Sequence, residues 1–428
     1  MSTLSRLSPA LQPAAASADG SAVSGRDSAA DPAHPPAWQR PGLPAVAAAT
    51  LVAAGLAWWA WQLQEIPGTG RGLTFSLLAG ALFGLALQRS RFCFYCITRD
   101  YMANRDARGL LGLIAALALG LLGYYAVFGA FLPVPAPGRL PPGAHIGPVS
   151  WVLALGALIF GLGMAISGSC ISAHLYRLGE GAFHSLFALV GALIGFGLGF
   201  ASWNPLYAAV IRDAPVLWLP HHLGYGGSLV LQLALLAALA AWLLRGQQRR
   251  HASSAPNQGA ASLLALLFSQ RWPAYAGGLV IAGLGAIAYF RVAPLGVTAE
   301  LGSIARTLAD NLGALPARLE GLDGFAGCAT IIKQSLLSNN GVFVAALVLA
   351  SFASAVLAGD FRPVRPSLRN ALRHLLGGIL MGWGGMLALG CTVGTLLSGI
   401  MAGAASGWVF ALFCLTGAWL GWRLRRRA

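Results

Sequence analysis

The stretch G-L-G-M-A-I-S-G-S-C-I-S-A-H-L-Y-R-L-G-E-G, residues 161–181, halts a hydrophobic span on Ser167, Gly168, Ser169 and Cys170 and then restarts a short segment carrying His174, Arg177 and Glu180. The chain does this twice. Residues 382–403 read G-W-G-G-M-L-A-L-G-C-T-V-G-T-L-L-S-G-I-M-A-G, and laying Cys391 on Cys170 puts Gly384 on Gly163 and Leu396 on Leu175. Apolar segments interrupted by glycine at corresponding places in two halves of a chain point to broken membrane helices around a midplane site. Both breaks present a cysteine.

Working outward, 57% of the 428 residues are hydrophobic and 10% charged, with mean hydropathy +0.68. Soluble domains carry about 25% charge, so the class is a multi-pass, all-α membrane protein whose main partner is the lipid bilayer. The net charge of +15 comes almost wholly from arginine. Those arginines sit between apolar runs, where they act as topology signals and imply no nucleic-acid partner. Six cysteines are too few and too scattered for a disulfide framework. Residues 1–40, rich in Ala, Ser, Pro and Gly, are expected to form a disordered cytoplasmic tail.

Ten apolar spans follow, at 44–64, 72–88, 110–132, 148–167, 183–201, 226–244, 275–290, 341–359, 375–390 and 407–422. Arginine clusters at 89–108, 245–250, 362–373 and 423–427 belong in the cytoplasm. Threading the spans between them puts both termini inside. The span ending at Cys170 then runs inward, and the one ending at Cys391 runs outward. The segments around Cys93 and Cys328 are opposed in the same way. The expected organisation is an inverted repeat: an N-terminal half over 41–250, a cytoplasmic linker over 251–272 and a C-terminal half over 273–428. G-L-T at 72–74 and G-V-T at 296–298 open corresponding segments of the two halves. Gly191, Gly195 and Gly199 recur at four-residue steps and offer a flat face to another helix.

Cys170 and Cys391 stand where a half-helix begins. Backbone N–H groups and the helix dipole there favour an anion, and irregular backbone at membrane depth is tolerated where it lines a cavity. A thiol is a weak donor and a weak acceptor. A path of thiols therefore suits a soft, sulfur-bearing anion that must both enter and leave. Cys93 and Cys96 spell C-x-x-C, which in a redox protein exchanges disulfides; Cys96 reads more simply as a core thiol, and so does Cys414. Arg177 and Glu180 at i, i+3 can pair on one helix face or flank the path with Arg91. His174 carries less of that expectation. G-F-A-G-C at 324–328 is a weaker break with Cys328 at its end, and Lys333, the single lysine, would attract an anion at the outer mouth. The histidines lack the spacing of metal ligands, no P-loop is visible, and no cofactor is expected.

The motifs R-S-R-F-C-F at 89–94, S-G-S-C with L-Y-R-L-G-E-G at 167–181, and A-L-G-C-T-V-G at 388–394 together resemble those of the YeeE/YedE family of sulfur-transport membrane proteins. The resemblance covers about 72–422. It implies a pseudo-symmetric helical fold with re-entrant segments and a narrow path handing thiosulfate between Cys93, Cys170 and Cys391, with Thr392 and Gly394 in the third motif. This chain has S-G-S-C where the family often has G-G-C, and it adds Cys96. No sulfur-carrier domain follows Ala428, so a cytoplasmic sulfurtransferase or sulfur carrier is expected to be a separate chain. The reading is a non-enzymatic permease of the bacterial inner membrane; the competing one is a membrane thiol oxidoreductase using Cys93 and Cys96.

Overall fold

The computed structural model describes residues 42–136, 138–247, 270–316, 318–322 and 337–427. Their regular structure is helical: α1 (Leu43–Gln64), α2 (Gly70–Ser90), α3 (Phe94–Asn104), α4 (Arg108–Phe131), α5 (Trp151–Ser167), α6 (Ile171–Gly179), α7 (His184–Ala201), α8 (Leu219–Gln247, kinked at Gly224), α9 (Ala274–Arg291), α10 (Val297–Asn311), α11 (Asn339–Leu357), α12 (Leu368–Leu387), α13 (Thr392–Met401, its start π-wound) and α14 (Ala405–Arg427). Among the described residues nine helices are long and apolar enough to cross a membrane, and α12 with α13 adds a tenth span bent by 42°. α2 runs on through a break into α3, and α5 into α6. The ten expected spans coincide with these elements. The tail at 1–40 and most of the linker at 251–272 lie outside the described residues.

The helices pack reciprocally. α2 lies on α11 as α9 lies on α4; α7 lies on α12 as α14 lies on α5; α6 touches α11 as α13 touches α4. The pairs α2/α9 and α5/α12 meet on the axis of this exchange. It relates α2–α7 to α9–α14 in order. The senses are opposed: the Trp272 N–H, at the start of α9, donates to the Arg89 carbonyl at the end of α2 (3.0 Å). Likewise Arg373, near the start of α12, donates through Nε to the Ile166 carbonyl at the end of α5 (2.6 Å). The molecule is therefore an inverted repeat of broken helices, with α1 and α8 outside the exchange.

The packing assigns a different counterpart to Cys93. Cys93 caps the N-terminus of α3, and the equivalent cap, on α10, is Gly296; Cys328 falls outside the described residues. G-V-T at 296–298 accordingly opens α10, the equivalent of α3, whereas G-L-T lies at the start of α2.

Small residues bring the backbones together. Without a hydrophobic effect between helices in lipid, close contact supplies the attraction. A side chain at Gly191 or Gly195 would run into the Leu375 or Ile379 carbonyl of α12. One at Gly378 or Gly382 would meet the Ala188 or Ala192 carbonyl of α7. Gly161 meets the Cys414 carbonyl in the same way, so buried Cys414 belongs to a helix contact.

Gly382→Val is expected to cost about 2 kcal/mol or more, because the obstacle is backbone and cannot swing aside. Gly197→Val, where no atom lies within 4 Å, should cost little. Thermal melting of the two purified variants in detergent checks the contrast.

Candidate functional site

Three cysteines occupy the same local position. Cys93, Cys170 and Cys391 are the N-caps of α3, α6 and α13. A helix start leaves N–H groups without intrahelical partners, and two of the thiols take one up: Cys93 Sγ accepts from Cys96 N at 3.4 Å, and Cys391 Sγ from Val393 N at 3.4 Å. All three are buried. The described cysteines are free thiols.

The first half joins two of its breaks through sulfur. Cys93 and Cys170 stand 3.9 Å apart, in range of an S–H···S contact. Beyond Cys93, the half-buried Cys96 sulfur accepts from Arg177 Nη2 at 3.3 Å. The second half repeats the arrangement with oxygen in place of one sulfur: Thr298 Oγ1, from the first turn of α10, donates to Cys391 Sγ at 3.2 Å. Thr298 is 1% exposed. The sequence marked it only as part of a repeated tripeptide; its pairing with Cys391 depends on how two breaks meet in space.

Polar capacity is left over around Cys170. Ser169 Oγ, Ser172 Oγ and His174 Nε2 are buried and have no hydrogen-bond partner among the described residues. His174 Nδ1 is engaged by Ser185 Oγ at 3.2 Å. Buried polar atoms are nearly always paired, so a cluster of unpaired ones beside a helix start marks a place where a polar species can dwell. Two arginines hold the other side of the break. Arg373 and Arg425 donate to the Ile166 and Ala165 carbonyls at the end of α5, Arg425 at 2.9 Å. They supply charge-assisted bonds that the interrupted helix cannot make for itself. The sequence presented both only as topology arginines.

Glu180 and Arg91 stand apart from the thiols. Gln88 Nε2 donates to Glu180 Oε1 and to Asp360 Oδ2, both at 3.2 Å, and Ser354 Oγ donates to Gln88 Oε1 at 2.7 Å. The fully buried Arg89 donates to Asp360 Oδ2 at 2.7 Å, with half-exposed Arg91 at 3.7 Å. This network ties the ends of α2, α6 and α11 together. Burial pushes the Glu180 carboxyl above the usual carboxylate range, against the pull of Arg91 and Arg177. Arg177 and Glu180 thus part company, the first reaching Cys96 and the second Gln88. Thr392 and Gly394 are buried in the first turn of α13. Lys333, like Cys328, lies outside the described residues.

Inverted repeats whose broken spans meet at buried thiols are the architecture of a membrane transporter built around a central site. The chain belongs to the sulphur-transport family, whose pattern matches residues 89–420. It is 26% identical over 371 residues to the thiosulfate transporter TsuA of Escherichia coli, covering 80% of this chain and 92% of that one. The identity to TsuA of Spirochaeta thermophila is 27% over 370 residues, or 82% and 98% of the two chains. A shorter match, 29% over 182 residues and 42% of each chain, links it to the probable transporter YedE of Escherichia coli.

Asp360→Ala is expected to destabilise the protein by about 3 kcal/mol, since it leaves a buried guanidinium without its carboxylate. Arg91→Ala, which removes an exposed and longer contact, should cost under about 1 kcal/mol. Melting temperatures in detergent distinguish the two.

Proposed function

We propose that the protein moves thiosulfate, or a sulfur oxyanion of the same kind, inward across the bacterial inner membrane, handing it from Cys391 to the Cys170 and Cys93 pair. The observation that carries this reading is that all three thiols cap half-helices, with unpaired Ser169, Ser172 and His174 atoms beside the inner pair. Thiosulfate has a polarisable sulfur end and a charged oxygen end. Thiols give the first a weak partner, and helix N-termini give the second a field of the right sign. Weak binding at successive stations lets the anion leave as readily as it arrives.

The face bearing Arg89, Arg362, Arg373 and Arg425 is cytoplasmic in this reading, as are both termini. Arg177, on Cys96, draws the anion toward the inner exit. The first turn of α13, with Thr392 and Gly394, receives it from outside, where Cys328 and Lys333 would form the mouth. Arg91 and Glu180 hold the exit in shape through Gln88 and Asp360. The thiols stay reduced throughout, and the protein works without a metal or cofactor and acts as no enzyme. A separate cytoplasmic sulfurtransferase or sulfur carrier takes up the product of uptake. The shares of the TsuA transporters covered by this chain, 92% and 98%, support the same reading.

Uptake of radiolabelled thiosulfate into proteoliposomes tests it. Cys170→Ala and Cys391→Ala are expected to lower uptake by about a hundredfold or more, since losing a donor in a low-dielectric path costs several kcal/mol and each ~1.4 kcal/mol is tenfold in rate. Cys414→Ala should transport normally. Ser at 170 and 391 keeps a donor and loses the polarisable sulfur; parental rates in the Ser variants would remove thiol chemistry from the mechanism. Persistence of transport with every thiol reduced separates the permease from an oxidoreductase, which needs a Cys93–Cys96 disulfide in each cycle.

Orientation is checked separately. In a cysteine-free variant, Arg369→Cys should react with an impermeant maleimide only from the cytoplasmic side; labelling of intact cells from outside would reverse the proposed direction of both repeats.

A further inference from the structure

On the face opposite the arginines, the segment between α4 and α5 folds back over the start of α13. His145, in that segment, is 5% exposed, and its Nδ1 has no hydrogen-bond partner among the described residues. The ring lies against Gly394: a side chain there would press on His145 Cε1 and Nδ1 (2.9 and 3.2 Å). Glycine at 394 in the A-L-G-C-T-V-G motif is thus the residue that leaves room for the imidazole. His145 also lines a cleft with Gly147, Leu389, Thr395 and Ser406.

The cleft's other polar groups are committed. Ser406 Oγ accepts from Gly147 N at 3.2 Å, and Thr395 Oγ1 donates to the Ala388 carbonyl at 3.3 Å. Leu389 is held left-handed at φ 53°, a backbone state that bulky residues rarely adopt and that collects at ligand-handling sites. A buried ring nitrogen without a partner among the described residues, as Nδ1 of His145 is, carries a standing cost, repaid when a polar ligand enters. Burial lowers the His145 pKa to about 4. The ring is therefore uncharged at neutral pH and meets an anion as one donor rather than as a fixed cation that would trap it.

We propose that His145, set against the first turn of α13, is an outer subsite that holds an oxygen of the incoming sulfur oxyanion while its sulfur end reaches Cys391. This rests on the transport reading and extends it, assigning recognition of the oxygen end to a residue outside every cysteine motif. The subsite would favour anions carrying both oxygen and a terminal sulfur over those, such as thiocyanate, that lack the oxygens.

The test is the concentration dependence of thiosulfate uptake by proteoliposomes bearing the full chain. His145→Ala is expected to raise KM about tenfold, the worth of one hydrogen bond to a charged group, with the maximal rate changed far less. His145→Gln, which restores a donor, should recover most of the loss. Gly394→Ala, which displaces the ring and leaves the histidine in place, should raise KM as His145→Ala does. Melting temperatures within a few degrees of the parent's identify the variants that count as folded, and Gln and Ala at 145 give two chances to meet that criterion. Unchanged KM in the folded variants, with the parent transporting, overturns the subsite alone. A parent that takes up no thiosulfate overturns the transport reading and the subsite with it.

Discussion

A helix that stops inside a membrane has nowhere to send its last carbonyls and first N–H groups, and this molecule is arranged around answering that deficit at several breaks. At the end of α5 the carbonyls go to Arg373 and Arg425, side chains from α12 and α14. At the starts of α3 and α13 the N–H groups go to the sulfurs of Cys93 and Cys391. Charge-assisted donors on one side and weak thiol acceptors on the other are unequal partners. The carbonyl side is held firmly. The N–H side is held lightly and remains available to something else, which is the physical basis for the path proposed along the cysteines.

The repeats are alike in backbone and unlike in chemistry. Where Cys93 meets Cys170, Thr298 meets Cys391. The pair in the first half is sulfur against sulfur with Arg177 close behind; the pair in the second half is hydroxyl against sulfur with His145 nearby across Gly394. A cargo with a sulfur end and an oxygen end would meet different partners on entry and on exit. This gives the sequence differences between the halves a chemical reading and relieves the second half of any need to reproduce every thiol of the first.

Much of the fold was legible because lipid imposes strong rules. Apolar runs of spanning length, arginines in the gaps and a glycine stripe on α7 each have one dominant physical cause, and each appears as expected. The helix breaks at Cys170 and Cys391 were legible for the same reason, since Ser167-Gly168-Ser169 and Leu389-Gly390 interrupt otherwise continuous spans. The remainder needed three dimensions. Thr298 looks like a helix-start threonine until α10 is placed beside α13. Arg373 and Arg425 look like every other topology arginine until the end of α5 is seen to lack partners. His145 lies in a proline- and glycine-rich connection with no periodicity, and nothing in the sequence pairs it with the third motif. The counterpart of Cys93 was misplaced because sequence similarity between the halves is too thin to align their first breaks, whereas helix packing aligns them directly.

The reciprocity of the packing bears on how the chain can be made. The most extensive contacts of α5 and α7 are with α14 and α12, and those of α2 are with α11. Helices synthesised early therefore wait for partners synthesised late. Until residues beyond 368 emerge, Gly191 and Gly195 of α7 lack the α12 backbone they pack on, and the end of α5 lacks both of its arginines. Helices up to α8 inserted alone would be a loose set of spans with an uncapped break. α12 packs on both α5 and α7, so its arrival supplies two interfaces, and α14 afterwards adds the other large contact of α5 together with Arg425.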